Sequence, residues 1–101
     1  MRVDYKRLGQ TLYVGLSGEL DECAAGRVRE QLDRIVAGDC NRVVFDLAEL
    51  KFMDSTGIGV LIGRYKKLKA RGIPVLLSSP TRSVDRLLQL TGIYDIMPKI
   101  G

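Results

Sequence analysis

A chain of 101 residues with 46% apolar and 28% charged side chains suits one globular domain built on a single core. There is no histidine, which excludes histidine-based acid–base catalysis, histidine-containing nucleophilic triads and histidine-ligated metals. The net charge of +4 is spread along the chain with acids interleaved, no apolar run approaches a membrane span, and the start Met1-Arg2-Val3-Asp4-Tyr5-Lys6 has no apolar signal region. A cytoplasmic protein with no membrane partner is expected.

Taken in order, residues 3–8 and 11–17 read as two strands joined by Gly9-Gln10. Leu12, Val14 and Leu16 alternate with Tyr13 and Gly15, the period of a half-buried strand, and a two-residue loop containing glycine predicts an antiparallel hairpin. Gly18-Glu19-Leu20-Asp21 follows. Asp21 is placed to cap a helix running to about Ala37, with Ala24, Ala25, Val28, Leu32, Ile35 and Val36 inward and Gly38 closing it in the left-handed conformation. Cys23 falls in the first turn of that helix. It lies too far from Cys40 for a redox or zinc pattern, and both thiols read as buried or incidental.

Residues 42–47 form a β-branched and aromatic run expected to be a buried parallel strand, and residues 48–53 are expected to be a loop. A second helix should follow, with Leu61, Ile62, Tyr65 and Leu68 inward and Arg64, Lys66, Lys67, Lys69 and Arg71 on a solvated face. It should end at Ala70-Arg71-Gly72. Residues 73–77 read as the next strand, and Ser79-Pro80 as a capping hydroxyl with proline at the first helical position. Val84, Leu87, Leu88 and Thr91 should face inward on the third helix, Gly92 should stop it, and residues 93–97 are expected to add an edge strand closed by Pro98. The alternation predicts an α/β fold: a mixed sheet of four to five strands with three or more helices packed on it.

The stretch Phe52-Met53-Asp54-Ser55-Thr56-Gly57-Ile58-Gly59 stands where the second helix begins. Free backbone N–H groups and the positive end of the macrodipole suit such a place to an anion, or to a serine that is phosphorylated. Plain helix capping is the competing reading of Asp54, Ser55 and Thr56. Gly57 and Gly59 each cost about 1 kcal/mol of helix propensity, so close approach by a partner or by a neighbouring strand is implied. In open α/β sheets, partners gather beyond the carboxyl ends of the parallel strands. Topology therefore predicts that Asp21, the Asp54-Ser55-Thr56 corner and Ser78 with Ser79 are neighbours there.

Three kinds of site compete. A nucleotide pocket is disfavoured, because Gly57-Ile58-Gly59 with Gly63 spells GxGxxxG inside a helix start and no GKS or GKT follows. A hydrolase built on Ser55 lacks both the GxSxG elbow and a base. A protein-interaction module switched by phosphorylation of Ser55 needs no catalytic group of its own. The basic cluster around Arg64 has no interleaved aromatic platforms, so direct nucleic-acid binding is not expected.

Residues 52–66, ending Gly63-Arg64-Tyr65-Lys66, closely resemble the signature of the anti-sigma factor antagonists, the bacterial STAS domains. Gly18-Glu19-Leu20-Asp21 and Leu90-Thr91-Gly92-Ile93 resemble two further blocks, and the continuation after Gly63 is most similar to sporulation-type members. The resemblance implies a single STAS domain over residues 1–101 that is not an enzyme. It implies an unphosphorylated form that binds an anti-sigma factor with serine kinase activity, phosphorylation on Ser55, and a serine phosphatase that restores the active form. ATP or ADP would be bound by the kinase, with no cofactor or metal on this chain. Family members often carry Ser at both hydroxyl positions, so Thr56 is the alternate acceptor. Asp21, Asp54, Ser55, Thr56, Gly57, Gly59, Ser78 and Ser79 would form the docking surface. A STAS-like scaffold or small-ligand-sensing module without phosphorylation is the alternative.

Overall fold

The computed structural model describes residues 1–100. Two strands, β1 (Arg2–Leu8) and β2 (Thr11–Leu20), form the expected antiparallel hairpin, in register from Arg2 opposite Ser17 to Leu8 opposite Thr11. Leu12, Val14, Leu16 and Leu20 are buried along one face of β2, so its alternation is the alternation of the core. Helix α1 (Glu22–Val36) then returns along the sheet, capped by the Asp21 carboxylate, which accepts from the Ala24 N–H at 3.0 Å. Strand β3 (Arg42–Asp46) pairs with β2 in parallel, and Val43, Val44 and Phe45 are all buried, so β3 is covered on both faces.

The segment expected to be a loop contains a strand. Residues Leu50–Met53 form β4, which pairs in parallel with the last residues of β2 beyond the point where β3 leaves it. The pairing shifts register between Gly18 and Glu19, and the Gly18 N–H donates to the Glu49 carbonyl at 3.0 Å. Gly18 has φ +103°, a conformation a side chain would strain, and this kink lets β2 hand over from one partner to the next. Helix α2 (Ser55–Ala70) starts directly after β4. Strand β5 (Val75–Ser78) pairs with β3, helix α3 (Arg82–Thr91) follows, and β6 (Lys99–Ile100) pairs with β5, giving the order β1-β2-β3-β5-β6 with β4 attached to β2.

Several local expectations are corrected. Gly38 is not left-handed: α1 ends at Ala37 in a right-handed conformation, and its last carbonyls are met by the Arg71 guanidinium, which donates to Val36 at 2.6 Å and Gly38 at 2.8 Å. Arg64 does not lie on the solvated face. It is 5% exposed, with Nε 3.1 Å from the Asp33 carboxylate of α1, and its side chain fills the α1–α2 contact. Burial lowers its pKa against the opposing pull of Asp33. The cap of α3 is Thr81, whose Oγ1 accepts from the Val84 N–H and donates to the Leu50 carbonyl, so Ser79 and Pro80 stand outside the helix. Thr91 is exposed, while Gly92 ends α3 in the left-handed conformation as expected.

Residues Ile93–Asp95 form a short 3-10 helix instead of a strand, and the edge strand begins only after Pro98. Ile93 and Met97 are buried, which a strand's alternation would also have produced over so short a span. This C-terminal piece is held by Asp85, which accepts from Tyr94 Oη at 2.5 Å, Gln89 Nε2 at 2.9 Å and Lys99 Nζ at 3.2 Å. The tyrosine hydrogen bond, then those of Lys99 and Gln89, hold the Asp85 pKa below its ordinary value. Burial, with Asp85 second, pushes the Tyr94 hydroxyl pKa well up. A depressed carboxyl stabilises above its unfolded pKa and loses that contribution as pH falls through its folded value; a raised phenol does the reverse on the alkaline side. The clasp is thus complete between about pH 4 and about pH 10. The Leu77 amide donates to the Pro98 carbonyl at 2.9 Å and reports on the clasp. Its protection factor, which corrects the exchange rate for its intrinsic pH dependence, is expected to fall below about pH 4, and Asp85→Asn is expected to lower protection at neutral pH and remove that acid dependence.

Candidate functional site

Both α1 and α2 begin at the edge where β2 and β4 end, so two helix N-termini with their unpaired N–H groups come together there. One carboxylate serves both. Asp54 Oδ1 accepts from the Gly57 N–H at 3.0 Å, capping α2, and Oδ2 accepts from the Glu22 N–H at 3.2 Å, at the first residue of α1. Asp21 supplies the second cap of α1. The Asp54 N–H points back to the Leu20 carbonyl of β2 at 3.4 Å, which ties the corner to the sheet. Asp21 and Asp54 are therefore neighbours, as topology predicted.

Ser55 is the first residue of α2 and is exposed; Thr56 behind it is half-buried. The two glycines have different reasons. A Cβ on Gly57 would lie 2.6 Å from Met53 Cγ and 2.7 Å from the Leu20 carbonyl oxygen, so this glycine admits the neighbouring strand. A Cβ on Gly59 would meet nothing within 4 Å, and that residue faces out. Ser78 and Ser79 sit with their hydroxyls 3.1 Å apart, Ser78 in register with Asp46 at the end of β3. Among the described residues, no hydrogen bond joins them to Asp54, and Ser79 has φ +56°. They share the sheet edge with the corner but are not part of its hydrogen-bonded network.

Acid outweighs dipole at this edge. Asp21, Glu22 and Asp54 place three carboxyl groups against two positive helix ends. The capping role of Asp54 was legible from its place before a helix. Its second oxygen was not, because Glu22 is reached only through the β2–β4 pairing. Replacing Asp54 with Ala removes acceptors for both Gly57 and Glu22, and is expected to cost about 1–2 kcal/mol. For a domain of this size that is a drop of roughly 4–16 °C in melting temperature, with Asp54→Asn losing less because its amide oxygen still accepts one bond. Thermal unfolding of the three proteins checks this.

Among the described residues, no three His, Cys, Asp or Glu side chains gather as a metal site, and no helix is long and apolar enough to cross a membrane. The sequence profile of the STAS domain matches residues 2–101. The chain is 36% identical over 99 residues to an anti-sigma F factor antagonist of Paenibacillus polymyxa, covering 97% of this chain and 85% of that one. It is 31% identical over 97 residues to an anti-sigma-B factor antagonist of Bacillus subtilis, covering 96% and 88%. Among solved structures it is similar to the anti-sigma factor antagonist SpoIIAA in its unphosphorylated form, with a TM-score of 0.82 at 25% identity over 99% of this chain and 89% of that one. The phosphorylated form of the Bacillus SpoIIAA aligns over 99% and 92% with a TM-score of 0.73, also at 25% identity.

Proposed function

The chain belongs to the STAS domain family, and from that premise we propose that it is an anti-sigma factor antagonist working as a phosphorylation switch at Ser55. The unphosphorylated protein binds an anti-sigma factor and so releases a sigma factor. The partner is a serine kinase that carries the ATP or ADP; a separate serine phosphatase reverses the modification. This chain performs no catalytic step and holds no cofactor, and the cycle runs in the cytoplasm.

The observation that carries the reading is the exposed Ser55 hydroxyl at the first position of α2, with the half-buried Thr56 behind it. An accessible hydroxyl at a helix start is open to a kinase, and the orphan N–H groups beside it stabilise the resulting phosphate. The similarity to SpoIIAA in both unphosphorylated and phosphorylated forms supports a switch that leaves the fold in place. The docking surface consists of Asp21, Asp54, Ser55, Thr56 and the outward Gly59, with Ser78 and Ser79 at its margin. Gly57 contributes by letting α2 sit close to β2.

Intact mass and peptide mapping after incubation with the host's anti-sigma kinase and ATP test this. One phosphoryl group on Ser55, absent from Ser55→Ala, is expected. A group on Thr56 moves the site by one residue and keeps the switch. No modification by the kinase that binds the protein leaves a scaffold without phosphorylation control.

A further inference from the structure

Helix α3 begins beside β4, fixed there by the hydrogen bond from Thr81 Oγ1 to the Leu50 carbonyl at 3.3 Å. Between them lies an open groove of about 710 Å³ lined by Lys51, Thr81, Arg82, Ser83 and Arg86. Lys51, Arg82 and Arg86 form no ion pair among the described residues. The reason lies on α3 itself. Its single acidic residue, Asp85, is engaged by Tyr94, Gln89 and Lys99, so it gives the two arginines no counterion. Arg82 and Arg86 are four residues apart, hence on one side of the helix, and Arg82 stands at its positive end. Like charges held together unpaired are unfavourable in the isolated molecule and favourable against an opposite charge.

Lys51 also lines the adjoining groove with Glu19, Asp21 and Arg27, so it stands between the basic groove and the acidic edge that carries the switch. We infer that this groove docks an acidic segment of the anti-sigma factor, a carboxylate-rich surface that meets Lys51, Arg82 and Arg86 while the Ser55 corner meets the rest of the interface. The inference rests on the proposed function, and it adds a second contact of opposite sign. An acidic corner beside a basic groove gives the surface a polarity, which orients the partner before contact and speeds encounter at low salt. Phosphorylation adds negative charge at the corner only, so the groove keeps its attraction in both states.

The test is association kinetics between this protein and the host's anti-sigma factor at increasing NaCl, for the native chain and for Arg82→Glu combined with Arg86→Glu. The native association rate is expected to fall with salt. The double variant is expected to associate about tenfold or more slowly at low salt, with a flattened salt dependence, and Arg82→Gln with Arg86→Gln to lie between. A melting curve matching the native one confirms that both variants fold. Equal association rates for native and reversed charge overturn the inference while leaving the switch intact. Absence of any native binding overturns both. Selective loss of binding to a DNA duplex, with unchanged association to the anti-sigma factor, assigns the cations to nucleic acid and overturns the inference as well.

Discussion

Phosphorylation of Ser55 is expected to weaken binding to the anti-sigma factor by roughly 10²–10⁴-fold while leaving the fold in place. The phosphate brings about −1.5 to −2 charges at neutral pH to an edge that already holds Asp21, Glu22 and Asp54. Within the molecule, the free N–H groups at the start of α2 offset part of that charge and water screens the rest at the exposed Ser55, so the cost to folding is small. Across the interface there is no such offset. A surface shaped around a hydroxyl meets a dianion that must shed water and stand against its neighbours, and like-charge juxtaposition of this kind costs several kcal/mol. Titration calorimetry with the unmodified, phosphorylated and Ser55→Ala proteins measures the difference. Ser55→Ala should bind as the unmodified protein does and stay bound in the presence of ATP. Ser55→Asp should fall between, since one carboxylate has about half the charge and a shorter reach. Equal affinity of the phosphorylated and unmodified forms would falsify the repulsion mechanism.

The two glycines of the corner should respond in opposite ways. Gly57→Ala forces a methyl to within 2.7 Å of the Leu20 carbonyl oxygen, which belongs to the sheet and cannot move aside as the Met53 side chain can. Overpacking of this kind costs about 1–3 kcal/mol, partly offset by alanine's helix preference of about 1 kcal/mol. Gly57→Val adds two further carbons at the same place and is expected to lose more than about 3 kcal/mol, a large fraction of a small domain's stability. Gly59→Ala meets no atom and should gain up to about 1 kcal/mol. Urea unfolding of the three variants separates them. If Gly59→Ala is more stable yet binds the anti-sigma factor less well, the open space above Gly59 belongs to the partner.

Much of this was legible from residue order. The hairpin at Gly9-Gln10, the inward set of β2 and the caps Asp21 and Asp54 follow from local chemistry, and each appears where the pattern places it. Local chemistry failed where a distant segment decided the outcome. Strand β4 is four residues with no alternation, and it exists because β2 kinks at Gly18 and offers it a free edge. Arg64 reads as a surface charge by residue type alone, yet helical spacing places it between Leu61 and Leu68 on the buried face, where Asp33, 31 positions away in the chain, stands as its counterion. The Ser79-Pro80 pair looked like a helix start, and the Thr81 hydroxyl took that role because it also reaches β4. At the corner, the hydroxyls and glycines pointed to a site; which glycine serves packing and which faces outward needed the position of Leu20.

The burial of Arg64 bears on what part of this molecule is transplantable. Gly63-Arg64-Tyr65-Lys66 extends the resemblance beyond the hydroxyl corner, yet its arginine is engaged with α1, and Lys67 Nζ lies 3.0 Å from the same Asp33 carboxylate. Those residues record how two helices are matched to each other, not what the protein docks. A graft of α2 into another scaffold would carry a guanidinium without its counterion into the interior unless the carboxylate on the first helix travelled with it. The exchangeable part is the helix pair, and residues 33, 64 and 67 are its matched fitting.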